Sequence, residues 1–114
     1  TLVGQFPQSG DMLVMVDDVF TDGNTKIESI DLVWNLCKIK FSGVMVALDR
    51  MESSCRRGDA IAEFKLKTGV PVWSIINIRE VCFYLKNRTV NGNVILSEGI
   101  YNEIEQYLEE HSIR

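Results

Sequence analysis

One junction constrains this chain more than any other feature: a continuous apolar run, two adjacent acids, a stretch of small polar residues, and then helical periodicity. Residues 12–16 (MLVMV) form the run, Asp17 and Asp18 follow, and Thr21, Asp22, Gly23, Asn24 and Thr25 make up the small-residue stretch. An unbroken apolar run of this kind reads as a strand buried on both faces, as in a parallel sheet. From residue 25 to about residue 37, apolar side chains recur at Ile27, Ile30, Val33, Trp34 and Cys37, which is one face of a helix.

The same alternation continues along the chain. Residues 43–48 (GVMVAL) read as a second buried strand, closed by Asp49 and Arg50, and a polar loop runs through Ser53, Ser54, Arg56, Arg57 and Gly58. Asp59 is placed to cap a helix carrying Ile61, Phe64 and Thr68, and Gly69 with Pro71 stops it. Residues 70–76 (VPVWSII) read as a third strand, and Asn77 and Glu80 have the spacing of a capping box opening a helix through Val81, Phe83, Tyr84 and Leu85. Asn91-Gly92 predicts a turn between residues 89–90 and 94–96, and Ser97 opens a last helix with Ile100, Ile104, Tyr107 and Leu108 on its apolar face. Alternating strands and helices predict an α/β fold, a parallel sheet covered by helices, in one domain over residues 1–114. In such sheets ligands bind beyond the carboxyl ends of the strands, the edge on which Asp17, Asp18, Thr21, Asp49 and Arg50 are expected to gather.

Composition narrows the function classes. A net charge of −4 counts against nucleic acid as a partner. No apolar run approaches the roughly 18 residues of a membrane span, so no membrane is expected. The three cysteines, Cys37, Cys55 and Cys82, are odd in number and widely spaced, which predicts free thiols and a cytoplasmic setting. Cys37 and Cys82 fall in expected helices, where core packing explains them.

The junction carries the chemistry. Unpaired charge is costly to bury, so two acids at a strand end should meet solvent, cations or hydroxyl groups. The small residues of Thr21, Asp22, Gly23, Asn24 and Thr25 permit tight turns and positive φ. They lead into a helix whose unpaired amides and positive dipole end suit a phosphate monoester. Either half alone fits a solvated strand end or a helix cap. Together, in this order, carboxylates for a polyol beside a nest for a phosphate describe a sugar-phosphate site.

Residues 13–25, LVMVDDVFTDGNT, resemble the thirteen-residue phosphoribosyl pyrophosphate motif of type I phosphoribosyltransferases: four hydrophobics, two acids, two hydrophobics and Thr-x-Gly-x-Thr. The resemblance implies a partial type I phosphoribosyltransferase (Rossmann-like) fold. It also implies that phosphoribosyl pyrophosphate is bound by Asp17, Asp18, Val19, Phe20, Thr21, Asp22, Gly23, Asn24 and Thr25, with the two acids on the ribose hydroxyls and Thr21 to Thr25 on the 5′-phosphate. Residues 43–52 (GVMVALDRME) and 60–85 are similar to the corresponding parts of orotate phosphoribosyltransferases, and the resemblance is good over about residues 9–85. It implies that Thr21 and Arg50 contact orotate and that Mg²⁺ arrives with phosphoribosyl pyrophosphate rather than on protein ligands; a homodimer is the expected assembly. For Arg50, an ion pair with Asp49 or Glu52 is the competing expectation. A purine-base phosphoribosyltransferase and a non-catalytic phosphoribosyl-binding module are the alternatives.

The family's upstream strands, pyrophosphate loop and catalytic loop Lys have no counterpart in residues 1–10, so the chain resembles the family's carboxyl-terminal half and its catalytic residue is not assigned. Lys26, Lys38 and Lys40 do not match that loop Lys. Without an upstream neighbour, the first strand would be an apolar edge open to pairing with another chain.

Overall fold

A computed structural model describes residues 2–53 and 58–112. The elements run β1 (Leu13–Phe20), α1 (Asn24–Cys37), β2 (Phe41–Asp49), α2 (Ala60–Thr68), β3 (Val72–Asn77), α3 (Ile78–Leu85), β4 (Thr89–Val90), β5 (Asn93–Val94) and α4 (Glu98–His111). β1, β2 and β3 form a parallel sheet in that order. Right-handed crossovers between sequential neighbours place α1 and α2 on the same side of it.

That side is the core. Phe20, Val44, Val46, Ala60, Phe64 and Val70 are buried together, with Met15, Ile27, Ile30 and Ile61 packed against them. Phe64 is 1% exposed and meets Phe20 edge to face, with ring centroids 5.5 Å apart. Burying a side chain of this size contributes about 1.5–3 kcal/mol.

Among the described residues no helix lies over the opposite face. Val14 and Val16 of β1 and Trp73 and Ile75 of β3 lie there, with Val16 and Ile75 each 77% exposed. The expectation that residues 12–16 are buried on both faces is therefore corrected: only β2 is flanked on both sides, and β1 is an edge. The expected open edge is present. The Cα radius of gyration is 17.4 Å and the thinnest dimension 20 Å, against about 13 Å for a compact chain of this length. A sheet with helices packed on one face explains the plate-like shape. On this face the Trp73 ring covers Gly43, where a Cβ would lie 2.0 Å from the ring. Only glycine admits it.

Local signals placed the helix ends well. Asp59 accepts from the amides of Ile61 and Ala62, and Asn77 and Glu80 form the full capping box. Ser97 caps α4 through the Ile100 amide. Gly69 closes α2, whereas α1 closes on Lys38 at φ 56°. A lysine thus occupies the left-handed cap position that glycine usually fills. Asn91 and Gly92, both at positive φ, turn β4 into β5, which is Asn93–Val94 rather than the expected 94–96.

α4 returns to the carboxyl end of β2. The Ser53 amide donates to the His111 carbonyl at 2.8 Å, and Arg79 of α3 pairs with Glu105 of α4 at 2.6 Å. Burial first, and the Glu105 charge second, push the Cys82 thiol up, so it behaves as a core residue. Cys37 is half-buried, and both are free thiols; Cys55 lies outside the described residues, as do Ser54, Arg56 and Arg57 of the polar loop.

Candidate functional site

β1 runs four residues beyond the expected end and takes in Asp17, Asp18, Val19 and Phe20. The two acids are therefore strand residues, and strand geometry turns successive side chains to opposite faces. Asp17 shares its register with the core residue Val46 and turns to the helix side. Its Oδ2 accepts from Lys26 Nζ at 2.7 Å. The Lys26 ammonium, and after it the Asp18 amide donating to Oδ1 at 2.9 Å, hold the Asp17 carboxyl below its ordinary range. Asp18 is exposed, and its carboxylate accepts from the Val19 amide at 2.7 Å. The expectation that both acids lie past the strand end is corrected: both belong to the strand, whose pleat turns them to opposite faces.

Asp49 likewise closes β2 from within the strand. It is buried and accepts from the Met51 amide at 2.8 Å, with Met51 at φ 57°. Arg50 follows directly. Its Nη2 donates to Glu52 Oε1 at 2.6 Å, and the Tyr107 hydroxyl reaches the same oxygen at 3.4 Å. The competing expectation for Arg50, an ion pair with Glu52, is thus present, while 46% of the Arg50 side chain stays open to solvent. Leu48, Arg50, Glu52, Ile78, Ile104, Tyr107 and Leu108 line a hollow of about 240 Å³ at this edge.

Between β1 and α1 the loop closes tightly. Gly23 has φ 77° and is buried, and a Cβ there would come within 2.9 Å of both Phe20 and Phe64. It receives the amides of Lys26 at 3.1 Å and Ile27 at 3.0 Å on its carbonyl, which starts the helix. Thr21, Asp22, Asn24 and Thr25 are exposed around it. The amino end of α1 therefore opens to solvent at the carboxyl end of β1, where an anion cradle needs it.

One feature opposes an anion. Asp22 Oδ1 accepts from the Asn24 amide at 3.0 Å and its Oδ2 from Asn24 Nδ2 at 2.7 Å. The chain's own carboxylate holds an amide that a phosphate would use. A phosphate entering the loop meets that charge and competes for that amide.

Two partners were not foreseen from sequence. For Lys26 the sequence offers only that it does not match the family's loop Lys, and a β1–α1 contact nine residues apart leaves no periodic signal. Tyr107 was assigned to an apolar helix face, yet it reaches Glu52 across 55 residues of sequence.

No family model matches the chain. It is similar to the orotate phosphoribosyltransferase of Clostridium acetobutylicum, 29% identical over 113 residues, covering 99% of this chain and 50% of that protein. The corresponding protein of Marinobacter nauticus is 41% identical over 81 residues, 71% of this chain and 37% of that protein. The fold is similar to a crystal structure of orotate phosphoribosyltransferase from Francisella tularensis, with a TM-score of 0.66 and 22% identity over 89% of this chain and 46% of that one. It also resembles UMP synthase of Leishmania donovani, with a TM-score of 0.70 and 20% identity over 95% of this chain and 21% of that one. The similarity thus reaches well past residue 85 into α4. The sheet and its crossovers are those of the type I phosphoribosyltransferase fold. The chain is similar to orotate phosphoribosyltransferases over nearly its whole length and spans about half the length of the curated relatives it matches.

Proposed function

We propose that this chain carries the phosphoribosyl-binding part of an orotate phosphoribosyltransferase. The reaction is transfer of the phosphoribosyl group from phosphoribosyl pyrophosphate to orotate, giving orotidine 5′-phosphate and pyrophosphate. The observation that carries the reading is the β1–α1 loop: Gly23, packed against Phe20 and Phe64, delivers an open helix amino end beside Asp18.

On this reading the amides of residues 23–25 and the hydroxyls of Thr21 and Thr25 hold the 5′-phosphate, and the carboxylate of Asp18 meets the ribose hydroxyls. A ring nitrogen of orotate forms the bond to the anomeric carbon as the bond to the pyrophosphate oxygen breaks. Positive charge develops on the sugar, so orientation and nearby carboxylates matter more than proton transfer. Arg50 suits the carboxylate of orotate, because a planar guanidinium donates two parallel hydrogen bonds to it. To take that role it must exchange Glu52 for the ligand. Among the described residues no three acid, His or Cys side chains converge on a common point, and the single outward carboxylate of Asp18 fits a Mg²⁺ carried mainly by substrate oxygens. Bound there, Mg²⁺ would offset charge on the leaving pyrophosphate.

Two further parts of the reading are a homodimer, supported by the open β1 edge and the bare sheet face, and a cytoplasmic setting, supported by the free thiols Cys37 and Cys82. The test is calorimetric titration with phosphoribosyl pyrophosphate and Mg²⁺, followed by a turnover assay with orotate and with adenine. Saturable binding abolished by Asp18→Asn is expected, with turnover, where present, on orotate only. Absence of binding, or turnover on adenine, would overturn the reading.

A further inference from the structure

Among the described residues, Lys26 and Asp49 are the charged side chains that the fold buries. A buried ammonium is costly unless its donors are satisfied, and those of Lys26 are. Nζ donates to Asp17 Oδ2 at 2.7 Å and to the Val19 carbonyl at 2.9 Å, and it lies 5.3 Å from the centre of the Phe20 ring. All three contacts fall on the last four residues of β1, while Lys26 itself belongs to the first turn of α1. The ammonium therefore ties the strand's end to the helix that follows, behind residues 21–25.

The consequence is a division between two acids that sequence alone makes equivalent. Both acids reach solvent, but Asp17 is tethered to the helix side by Lys26, whereas Asp18 turns to the other face without that tether. The depressed ionisation of Asp17 agrees with this pairing.

We propose that Lys26 is a positioning residue for the sugar: by holding Asp17 against α1 it leaves Asp18 as the carboxylate that meets the ribose hydroxyls. This rests on the phosphoribosyl-binding reading given above. Lys26 does not touch the ligand; it acts through Asp17. Its effect should fall on recognition of the sugar rather than of the phosphate, which the loop amides hold.

The experiment compares the affinity of wild type and variants for ribose 5-phosphate with that for inorganic phosphate, by calorimetry, with thermal melts followed by circular dichroism to establish that each is folded. Wild type is expected to prefer ribose 5-phosphate. Lys26→Met should weaken ribose 5-phosphate at least tenfold and inorganic phosphate less than threefold, and Lys26→Arg should restore the preference to within threefold. The double variant Asp17→Asn/Lys26→Met should match Lys26→Met alone, since both changes act through one contact. If Lys26→Met does not fold, Asp17→Asn takes its place with the same expected change in preference. A folded Lys26→Met with an unchanged preference overturns the role of Lys26 while leaving the phosphoribosyl reading intact. A wild type that binds neither probe overturns the underlying reading, and the proposal with it.

Discussion

Gly23 and Phe20 are packed so closely that no side chain fits between them: a Cβ on Gly23 would stand 2.9 Å from Phe20 Cζ. The same position needs φ 77°, which L side chains rarely adopt. Both demands come from the point where the β1–α1 loop turns into the helix. Gly23→Ala adds the left-handed penalty, about 1–2 kcal/mol, to a core overpacking of about 1–3 kcal/mol. The urea midpoint should fall by an amount corresponding to roughly 2 kcal/mol or more, and a change below about 0.5 kcal/mol would mean the loop is not clamped as described.

Asp22 should oppose the ligand that its loop is shaped for. Its carboxylate occupies the Asn24 amide and places a negative charge where a phosphate would sit. Asp22→Ala is expected to tighten ribose 5-phosphate by roughly 1 kcal/mol, about fivefold, from the lost repulsion at an exposed site. The same change should lower thermal stability slightly, because the helix start loses an acceptor worth about 0.5–1 kcal/mol. Opposite signs in binding and stability are the signature. Weaker binding would mean that the loop needs Asp22 in its present place.

The Asp17–Lys26 pair makes a pH prediction. A carboxyl held below its ordinary range contributes stability that is fully present above that range and is lost as pH falls through the folded value. Wild type should therefore be more stable than Asp17→Asn near neutrality. The gap should close on acidification below about pH 4, because the wild-type pair then loses its charge. Urea titrations at several pH values would read this directly. A gap that stays constant into acid would show that the pair carries no ionic contribution. Since 43% of the Asp17 side chain is exposed, solvent screening keeps the effect modest.

The bare side of the sheet should drive self-association. Val16 and Ile75 lie on edge strands, each 77% exposed, on the face that no helix covers. Exposed apolar edges recruit other strands. Sedimentation velocity of the isolated chain should show concentration-dependent association, and Val16→Lys with Ile75→Lys should reduce it without lowering the melting temperature. A monomer at all concentrations would count against the open-face description.

Much of this molecule is legible in short stretches of sequence. The caps at Asp59, Asn77 with Glu80, and Ser97 were readable because a capping side chain acts within three residues of the amide it satisfies. The Asn91-Gly92 turn was readable for the same local reason. The three parallel strands followed from apolar runs separated by helix-period segments, and the tight β1–α1 loop followed from residue types packed into one turn.

What the chain's order could not show is how far β1 runs and which way its acids face. Two acids after a hydrophobic run look like a strand end, but pairing with β2 carries the strand on to Phe20. Pleat geometry then separates Asp17 from Asp18. Likewise, Arg50 near Glu52 is a sequence fact, whereas the Tyr107 hydroxyl beside that pair exists only because α4 folds back to the end of β2. The sequence alone determined the elements, their caps and the loop, because these depend on interactions a few residues apart. The tertiary structure alone decided that one face of the sheet lies bare and that Lys26 divides the acid pair, because both depend on which strands neighbour each other and which face the crossovers cover.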